Sequence, residues 1–196
     1  MVPIILVFWL VVGYLLGCVN GGYYLVRYKR KQDIRRFGSG NAGATNTGRL
    51  LGRTGFAATL VIDLVKGLVV VWIPLYFEWG EVIVVLSGLA VVAGHIWPIQ
   101  LQFRGGKGIA VFLGVLLLFD VRTVGIILLV FLLLYLFYRR FTITGLTALS
   151  LSPFVMFFLG GIGIFTMIGT AIMTGIVIYA HRTNIRDEIN RVILPK

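Results

Sequence analysis

The sequence is poor in cysteine, in acidic residues and in charge generally. Its 196 residues include one cysteine, Cys18, so a single chain can form neither a disulfide nor a cysteine metal site. Charged residues make up 13% of the chain, about half of the roughly 25% found in soluble proteins. Hydrophobic residues make up 59% and the mean hydropathy is +0.98, which indicates an integral membrane protein.

The charges that are present are mostly positive. Eighteen lysines and arginines stand against seven acidic residues, giving a net charge of +11. Nucleic-acid-binding proteins carry such charge on a folded soluble surface, which is almost absent here, so we predict no nucleic-acid partner. The excess instead reports membrane orientation and anionic partners. No connecting segment is long enough for a soluble domain, so residues 1–196 are predicted to form one membrane-embedded domain.

Seven apolar segments predict an all-α bundle of seven transmembrane helices. The first has no preceding basic residue and no small-residue cleavage pattern, so it is interpreted as a retained helix and not as a signal peptide. Several segments are shorter than the ~20 residues that cross a bilayer at right angles. Six spans would result if the chain failed to turn at 120–122. The segments are Pro3 to Tyr24, 55–77, 82–99, 106–119, 123–138, 142–160 and 162–180.

The distribution of basic residues predicts the orientation of these helices. Seven spans with an external N-terminus place 16 of the 18 basic residues inside, in segments 25–54, 100–107, 139–141 and 181–196. The outside turns then hold Glu78, Glu81 and Asp120 against Arg122. The positive-inside rule therefore predicts an external N-terminus, a cytoplasmic C-terminus and polar motifs that face the cytoplasm.

The stretch 36–49 is polar, glycine-rich and basic. Its glycines permit positive φ and close approach to a ligand, and its short polar side chains form hydrogen bonds. Arg36, Arg49 and Arg53 add positive charge. Backbone N–H groups and guanidinium bind phosphate oxygens, so we predict a phosphate-binding loop, with a flexible linker as the alternative. The candidate residues are Gly38, Ser39, Gly40, Asn41, Gly43, Thr45, Asn46, Thr47 and Gly48.

Two ionisable residues lie within the second apolar segment. Asp63 and Lys66 are three residues apart, so they share a helix face and are expected to pair. Ionisable residues inside a membrane usually serve function, and the alternative here is an ion pair that orders the bundle.

A third polar feature joins the third and fourth apolar segments. Pro98 ends one helix, and Gly105-Gly106-Lys107-Gly108 opens the next, so helix-terminal N–H groups beside a lysine predict anion binding. The Gly-x4-Gly-Lys-Ser/Thr spacing of a nucleotide-binding P-loop is absent, which excludes ATP binding of that kind. His95, which has no evident carboxylate partner in the sequence, is interpreted as a packed histidine more readily than as a catalyst.

A fourth polar feature ends the last apolar segment. His181 and Asn184, three residues apart, add an imidazole and an amide to the basic cluster that contains Arg182. Positive charge alone would suffice to anchor a helix end. Four polar segments that are remote in sequence are thus predicted to reach one membrane face.

Together the motifs resemble those of the bacterial acyl-phosphate:glycerol-3-phosphate acyltransferase family. The resemblance rests on Ser39-Gly-Asn-Ala-Gly-Ala-Thr-Asn46, Asp63/Lys66-Gly67, Gly94-His95 with Pro98, Gly105-Gly-Lys-Gly108 and His181-Arg182-x-Asn184, and covers nearly the whole chain. It implies a seven-helix enzyme of the bacterial inner membrane that acylates the 1-hydroxyl of glycerol 3-phosphate. The implied donor is an acyl phosphate, and the product is lysophosphatidic acid.

The resemblance also implies site roles. The expected catalytic residues are Ser39, Lys107, His181 and Asn184. The expected substrate-binding residues are Gly40, Asn41, Gly43, Thr45, Asn46, Arg49, Lys66, Gly105 and Gly106. Asp63, His95 and Arg182 are expected to be structural or to belong to the site. No cofactor or metal is expected, the chain is expected to be a monomer among membrane lipids, and Ser39 is expected to bind phosphate rather than act as a nucleophile.

Two further questions concern the chemistry. The proton of the attacking hydroxyl is expected to pass to a substrate phosphate, with His181 as the alternative base. The His-x4-Asp pair of soluble-type glycerolipid acyltransferases is absent, because Gln100 follows His95 at that spacing and Arg186 follows His181.

The alternative function is a transporter of organic phosphates, which would need polar groups accessible from both membrane faces.

Overall fold

The computed structural model describes residues 2–193, and side chains within 4–190. Over that range the regular elements are helical, with short 3₁₀ turns at Ile34–Arg36 and Ile99–Leu101. The α-helices are α1 (Val2–Cys18), α2 (Gly21–Arg30), α3 (Ala44–Tyr76), α4 (Glu81–Ile96), α5 (Ile109–Phe119), α6 (Val121–Tyr138), α7 (Phe141–Ser150), α8 (Ser152–Leu159), α9 (Ile164–Ala180) and α10 (Arg182–Ile193).

The apolar segments predicted from the sequence all coincide with helices. Within the described residues, four helical segments are long and apolar enough to cross a membrane, or up to six if two bent helix pairs each count as one span. α5 has 11 residues, and at about 1.5 Å per residue it is too short to cross a hydrocarbon core of roughly 30 Å by itself. The all-helical prediction is confirmed, whereas seven spans and their orientation stay predictions.

The first apolar run was predicted to be one continuous helix, and the structure divides it in two. It forms α1 and α2, which meet at a 43° bend around Val19 and Asn20. The chain leaves helical geometry there, and Asn20 has an extended backbone, with φ −82° and ψ 107°.

The start of α3 also differs from prediction. The polar stretch before residue 55 was expected to be a loop, but α3 begins at Ala44, so the region from 44 is helical apart from Gly52, whose φ is 72° and ψ −166°. Thr47 stabilises the first turn, since its backbone N–H and its hydroxyl both bond the Gly43 carbonyl. Polar composition alone concealed this turn, because the side chains of Asn46 and Thr47 are buried and hydrogen-bonded within the protein.

The first compact unit, described from residue 2, extends to residue 118. In it α1 packs on α4, and α3 contacts α1, α2 and α4. The short α5 lies close against α3, with Gly67 facing the Val111 carbonyl and Gly114 facing the Leu64 carbonyl. Glycines at such crossings let helix backbones approach without side chains between them, as is common in membranes.

Residues 119–196 form the second compact unit, described over its residues up to 193. Asp120, near its start, caps α6, since its carboxylate accepts the backbone N–H of Thr123 at 3.2 Å. α6, α7, α8 and α9 pack on one another. Their buried polar groups are mainly hydroxyls, at Thr123, Thr144, Ser152, Thr166, Thr170 and Thr174.

Candidate active site

The first glycine-rich segment is a loop at 37–43, which we call loop A. Gly38 and Gly40 adopt left-handed backbones, with φ values of 57° and 67°. Gly43 precedes α3 with a φ of −86°, so it uses no such freedom. Ser39 and Gly40 are exposed, which leaves the tip of loop A open to a ligand.

Asn46 holds loop A in shape from the first turn of α3. Its Nδ2 group donates to the carbonyls of Phe37 and Asn41, each at 2.9 Å, and its Oδ1 accepts the Ser39 backbone N–H at 3.2 Å. The side chain is buried. Asn46 was predicted to bind substrate, and the structure commits its polar atoms to the loop itself.

Positive charge lies beside this loop. Arg49 is exposed, and its Nη1 lies 3.6 Å from the position that a Cβ atom would take at Gly38. The N–H groups of Ala44, Thr45 and Asn46 form the first turn of α3, where a helix offers no internal acceptor. A guanidinium beside a helix N-terminus is suited to an anion such as phosphate.

An ion pair that the sequence analysis missed anchors the approach to loop A. Asp33 and Arg35 pair at 2.7 Å, and Arg35 Nη1 donates to the Leu101 carbonyl at 2.5 Å. The hydrogen bond from Arg35 lowers the pKa of Asp33 below its usual value, although burial opposes this shift. The Asp-x-Arg spacing was visible in the sequence, but the contact with Leu101 was not.

The second glycine-rich segment, Gly105–Gly108, is called loop B. Its first two amides point into the protein: Gly105 N–H donates to the Ile96 carbonyl at 3.1 Å, and Gly106 N–H to the His95 carbonyl at 3.0 Å. These N–H groups were expected to bind an anion, and here they hold the loop. Lys107, which follows them, is half-buried.

Loops A and B meet. The backbone N–H of Ala42 lies 3.5 Å from the carbonyl oxygen of Gly105. The structure thus brings Ser39, Arg49 and Lys107 into one region of the first unit, although loop B lies more than 60 residues beyond loop A in the sequence.

Behind loop B lies a buried polar cluster. Lys66 Nζ is 2.9 Å from Asp63 Oδ1 and 2.8 Å from His95 Nδ1, and it donates to the Gly17 and Val19 carbonyls at 3.0 and 2.7 Å. The predicted Asp63–Lys66 pair is confirmed. The expectation that His95 lacks a carboxylate neighbour is wrong, since Asp63 Oδ1 lies 3.6 Å from its Nδ1.

The same cluster bonds the backbone groups at the break between α1 and α2. Lys66 bonds carbonyls at the C-terminal end of α1, and Asp63 Oδ1 accepts the Gly21 N–H at the start of α2, at 3.4 Å. Each charge therefore faces the helix end of opposite partial charge. Asn20 joins the cluster through Oδ1, which accepts the Gly106 N–H at 2.9 Å. The sequence signal for Asn20 was a lone amide before two glycines in an apolar run.

His181, Arg182 and Asn184 belong to the second unit. His181 is buried at the end of α9, and its Nδ1 lies 2.8 Å from the Val177 carbonyl. A carbonyl only accepts, so Nδ1 carries a proton, and in the neutral ring Nε2 has the lone pair. Arg182 lies over the Tyr179 ring, at 4.4 Å from its centroid. Asn184 is half-buried in the first turn of α10.

Metal-ligating side chains do not cluster in the described part of the chain. Over its described residues, no group of three or more His, Cys, Asp or Glu side chains could hold a metal ion.

Comparison with known proteins identifies the class. The chain is an all-helical integral membrane protein of the same fold as two solved structures of PlsY (YgiH), described as an integral membrane glycerol 3-phosphate acyltransferase. The glycerol 3-phosphate form has a TM-score of 0.85 and 30% identity, covering 96% of this chain and 92% of that one. The lysphosphatidic acid form has a TM-score of 0.83.

The family follows from the sequence comparisons. The model of the family described as Glycerol-3-phosphate acyltransferase matches residues 7–191. "Glycerol-3-phosphate acyltransferase 1" of Desulfitobacterium hafniense (strain Y51) is 39% identical over 94% of this chain and 91% of its own length. "Glycerol-3-phosphate acyltransferase" of Thermoanaerobacter pseudethanolicus is 38% identical over 90% and 88%. The chain belongs to the glycerol-3-phosphate acyltransferase family, whose acyl transfer serves phospholipid biosynthesis.

Proposed function

We propose that the protein transfers a fatty acyl group from an acyl phosphate to the 1-hydroxyl of glycerol 3-phosphate. The hydroxyl oxygen attacks the acyl carbon, the carbon–oxygen bond to phosphate breaks, and inorganic phosphate leaves with lysophosphatidic acid as the other product. Family membership favours this over transport of organic phosphates. The observation that carries the proposal is the meeting of loops A and B at Ala42 and Gly105, which supports the assignment of Arg49 and Lys107 to one site.

Each substrate in this scheme carries a phosphate group, so the site needs cationic and N–H donors. Arg49, Lys107 and the first N–H groups of α3 supply them without a metal. Ser39 and Thr45 are exposed around that helix start and add hydrogen bonds through their hydroxyls, whereas Gly40, whose N–H donates to the Phe37 carbonyl at 3.0 Å, lets a ligand approach the exposed loop closely. Asn41 and Gly43 bond each other at 2.7 Å and shape the path into α3, and Asn46, Gly105 and Gly106 act by holding the loops.

An acyl phosphate is already activated, so orientation and charge neutralisation suffice for direct transfer. Ser39 then bonds phosphate and forms no acyl-enzyme. The hydroxyl proton passes to a substrate phosphate, whose second pKa near 6 makes it a competent base. The protein alternative is His181, whose Nδ1 lies 2.8 Å from the Val177 carbonyl. Asn184, in the first turn of α10, is proposed to assist the acyl transfer.

The donor is tested by assaying purified protein with palmitoyl phosphate, palmitoyl-CoA and palmitoyl acyl carrier protein in parallel, with and without EDTA. We expect turnover with palmitoyl phosphate alone, unchanged by EDTA, since no cofactor or metal is proposed. Comparable turnover with a thioester donor, or loss of activity on chelation, would contradict the proposal.

The mechanism is tested by quenching enzyme and labelled acyl phosphate in the absence of glycerol 3-phosphate, followed by intact mass measurement. Direct transfer predicts an unmodified mass. An added acyl group that disappears in Ser39→Ala would establish a covalent route and overturn the assignment of Ser39 to phosphate binding.

We further propose a monomer in the bacterial inner membrane, with seven spans, an external N-terminus and the site on the cytoplasmic side. Single cysteines are introduced in a Cys18→Ala background, and sealed right-side-out vesicles are treated with an impermeant thiol reagent. Glu78→Cys should react at once, and Gly40→Cys and Arg186→Cys only after the membrane is opened. Labelling at position 40 in sealed vesicles would contradict the proposed orientation.

A further inference from the structure

The proposed chemistry assigns no step to the buried cluster behind loop B, which consists of Asn20, Asp63, Lys66 and His95. Asn20, Asp63 and His95 are each no more than 2% exposed, and Lys66 is 9% exposed. Lys66 was predicted to bind substrate, and its Nζ here contacts Asp63, His95 and the Gly17 and Val19 carbonyls, which favours a supporting role behind the loops. The position of the cluster next to loop B links it to Lys107 through the backbone.

A continuous set of contacts leads from the ion pair to loop B. Lys66 Nζ, held by Asp63, lies 2.8 Å from His95 Nδ1. An ammonium has no lone pair, so Nδ1 accepts and the ring proton is on Nε2. The orientation of the ring is therefore set by Lys66.

The ring and backbone of His95 in turn define the position of Gly106. A Cβ atom at Gly106 would overlap the Nε2, Cε1 and Cδ2 atoms of the ring, so the Gly106 backbone lies directly against it. The Gly106 N–H also donates to the His95 carbonyl at 3.0 Å. Because Lys107 is the next residue, its backbone position depends on the placement of this ring.

We infer that His95, oriented by the Asp63–Lys66 pair, is a positioning residue that sets Lys107 for phosphate binding through the Gly106 backbone. The inference rests on the proposed role of Lys107. The positioning role of His95 can be separated from the structural role of Lys66 at the helix break. When the His95 ring is removed, the Gly17 and Val19 carbonyls and Asp63 remain available to Lys66.

The test is a double-mutant cycle of His95→Leu and Lys107→Ala, scored by kcat/KM with acyl phosphate and glycerol 3-phosphate. Leucine fills similar space but cannot accept from Lys66. Alone, His95→Leu should lower kcat/KM about tenfold or more, as for loss of a hydrogen bond to a charged group. In the Lys107→Ala background it should change kcat/KM by less than about twofold, since coupled residues are not additive.

A second variant separates the bond to Lys66 from the ring that lies against Gly106. His95→Asn keeps an acceptor close to the position of Nδ1 but, like leucine, lacks the outer ring atoms that contact Gly106. It should therefore lower kcat/KM about as much as His95→Leu, and by less than about twofold in the Lys107→Ala background. Recovery of kcat/KM by His95→Asn to within about threefold of the wild type overturns the inference.

Gly13→Ala is the matched packing control. A Cβ there would lie 3.0 Å from Val70 Cγ1, in the same compact unit and away from loop B. Any effect of Gly13→Ala on kcat/KM should be the same with Lys107 or Ala at position 107. Thermal unfolding of each variant checks folding, and if His95→Leu does not fold, His95→Gln replaces it in the cycle.

The outcomes separate the two hypotheses. If Lys107→Ala lowers kcat/KM and the His95→Leu effect persists undiminished on top of it, the inference is wrong and the role of Lys107 stands. If Lys107→Ala leaves kcat/KM unchanged, the proposed role of Lys107 is wrong, and the inference falls with it.

Discussion

Loops A and B are both rich in glycine, but Gly40 of loop A and Gly106 of loop B are glycines for different physical reasons. In loop A, Gly38 and Gly40 adopt positive φ, and the tip is exposed. In loop B, Gly105 and Gly106 lie against Pro98 and His95, where a Cβ would overlap atoms already present. Gly108 of loop B also has a positive φ of 88°, and a Cβ at Gly38 of loop A would overlap Asn46 Oδ1, so the contrast is between Gly40 on one side and Gly105 and Gly106 on the other.

The two loops also differ in what holds them. A single amide, Asn46, bonds the carbonyls of loop A, whereas loop B is backed by His95, Asn20 and the Asp63–Lys66 pair. The difference teaches that a glycine-rich polar segment need not present its amides to a ligand. In loop B the N–H groups of Gly105 and Gly106 serve the fold, and Lys107 is the residue of this loop for which chemistry is proposed.

The largest difference between the loops should appear when the same residue is placed in both. Gly106→Asn must displace the His95 ring and should cost about 3 kcal/mol or more of stability. Gly40→Asn should cost under about 1 kcal/mol, because asparagine tolerates the left-handed region. Thermal unfolding in detergent measures both, and equal losses would show that the two glycines serve the same purpose.

The next largest effect concerns the cations of the two loops. Arg49→Ala or Lys107→Ala removes a charge-assisted bond to phosphate worth roughly 1.5–3 kcal/mol, so kcat/KM should fall about ten- to a hundredfold. Lys29→Ala removes the same charge from an exposed site on α2 and serves as the control. A loss no greater than that of the control would exclude the residue from the site.

A smaller effect should follow from removing the amide that holds loop A. Asn46→Ala leaves the Phe37 and Asn41 carbonyls without their donor and should cost about 1–3 kcal/mol of stability. Asn41→Ala, which loses one bond to the Gly43 N–H, should cost less. The two variants are compared by thermal unfolding, and the reverse order would contradict the role assigned to Asn46.

The smallest effect concerns the ion pair before loop A. The pKa of Asp33 is lowered in the folded state, so its carboxylate stabilises the fold above the unfolded-state pKa, and this is lost as the pH falls through the folded value. Asp33→Asn should therefore reduce stability at neutral pH by under about 1 kcal/mol. The difference from wild type should vanish in acid. A difference that persists there would assign the effect to packing.

Sequence patterns predicted those features that depend on neighbours along the chain. The apolar segments, the helices and the Asp63–Lys66 pair required only periodicity and spacing. The start of α3 at Ala44 was missed because Asn46 and Thr47 look solvent-exposed by composition, whereas both are buried. The bend at Val19 and Asn20 was missed because the run is apolar on both sides of it.

The contacts that join remote segments were beyond reach of the sequence. His95 meets Lys66 and Asp63 from another helix, and Asn20 meets Gly106 across 86 positions. Such pairings depend on the packing of α1, α3 and α4, which local patterns do not encode. The substrate roles of Ser39 and Lys107 remain predictions that the experiments above address, and those of His181 and Asn184 also remain predictions.

The break between α1 and α2 has a consequence for biogenesis. The Gly17 and Val19 carbonyls receive Lys66, which is synthesised 49 and 47 residues later. Until α3 leaves the ribosome, these carbonyls lack their donor, and an unsatisfied group in lipid costs several kcal/mol. The first helix is therefore expected to reach its final bent form only after α3 inserts beside it. Stalled nascent chains test this order: a cysteine crosslink between α1 and α2 specific to the bent form should appear only in chains that extend well past residue 66, and its appearance in shorter chains would refute it.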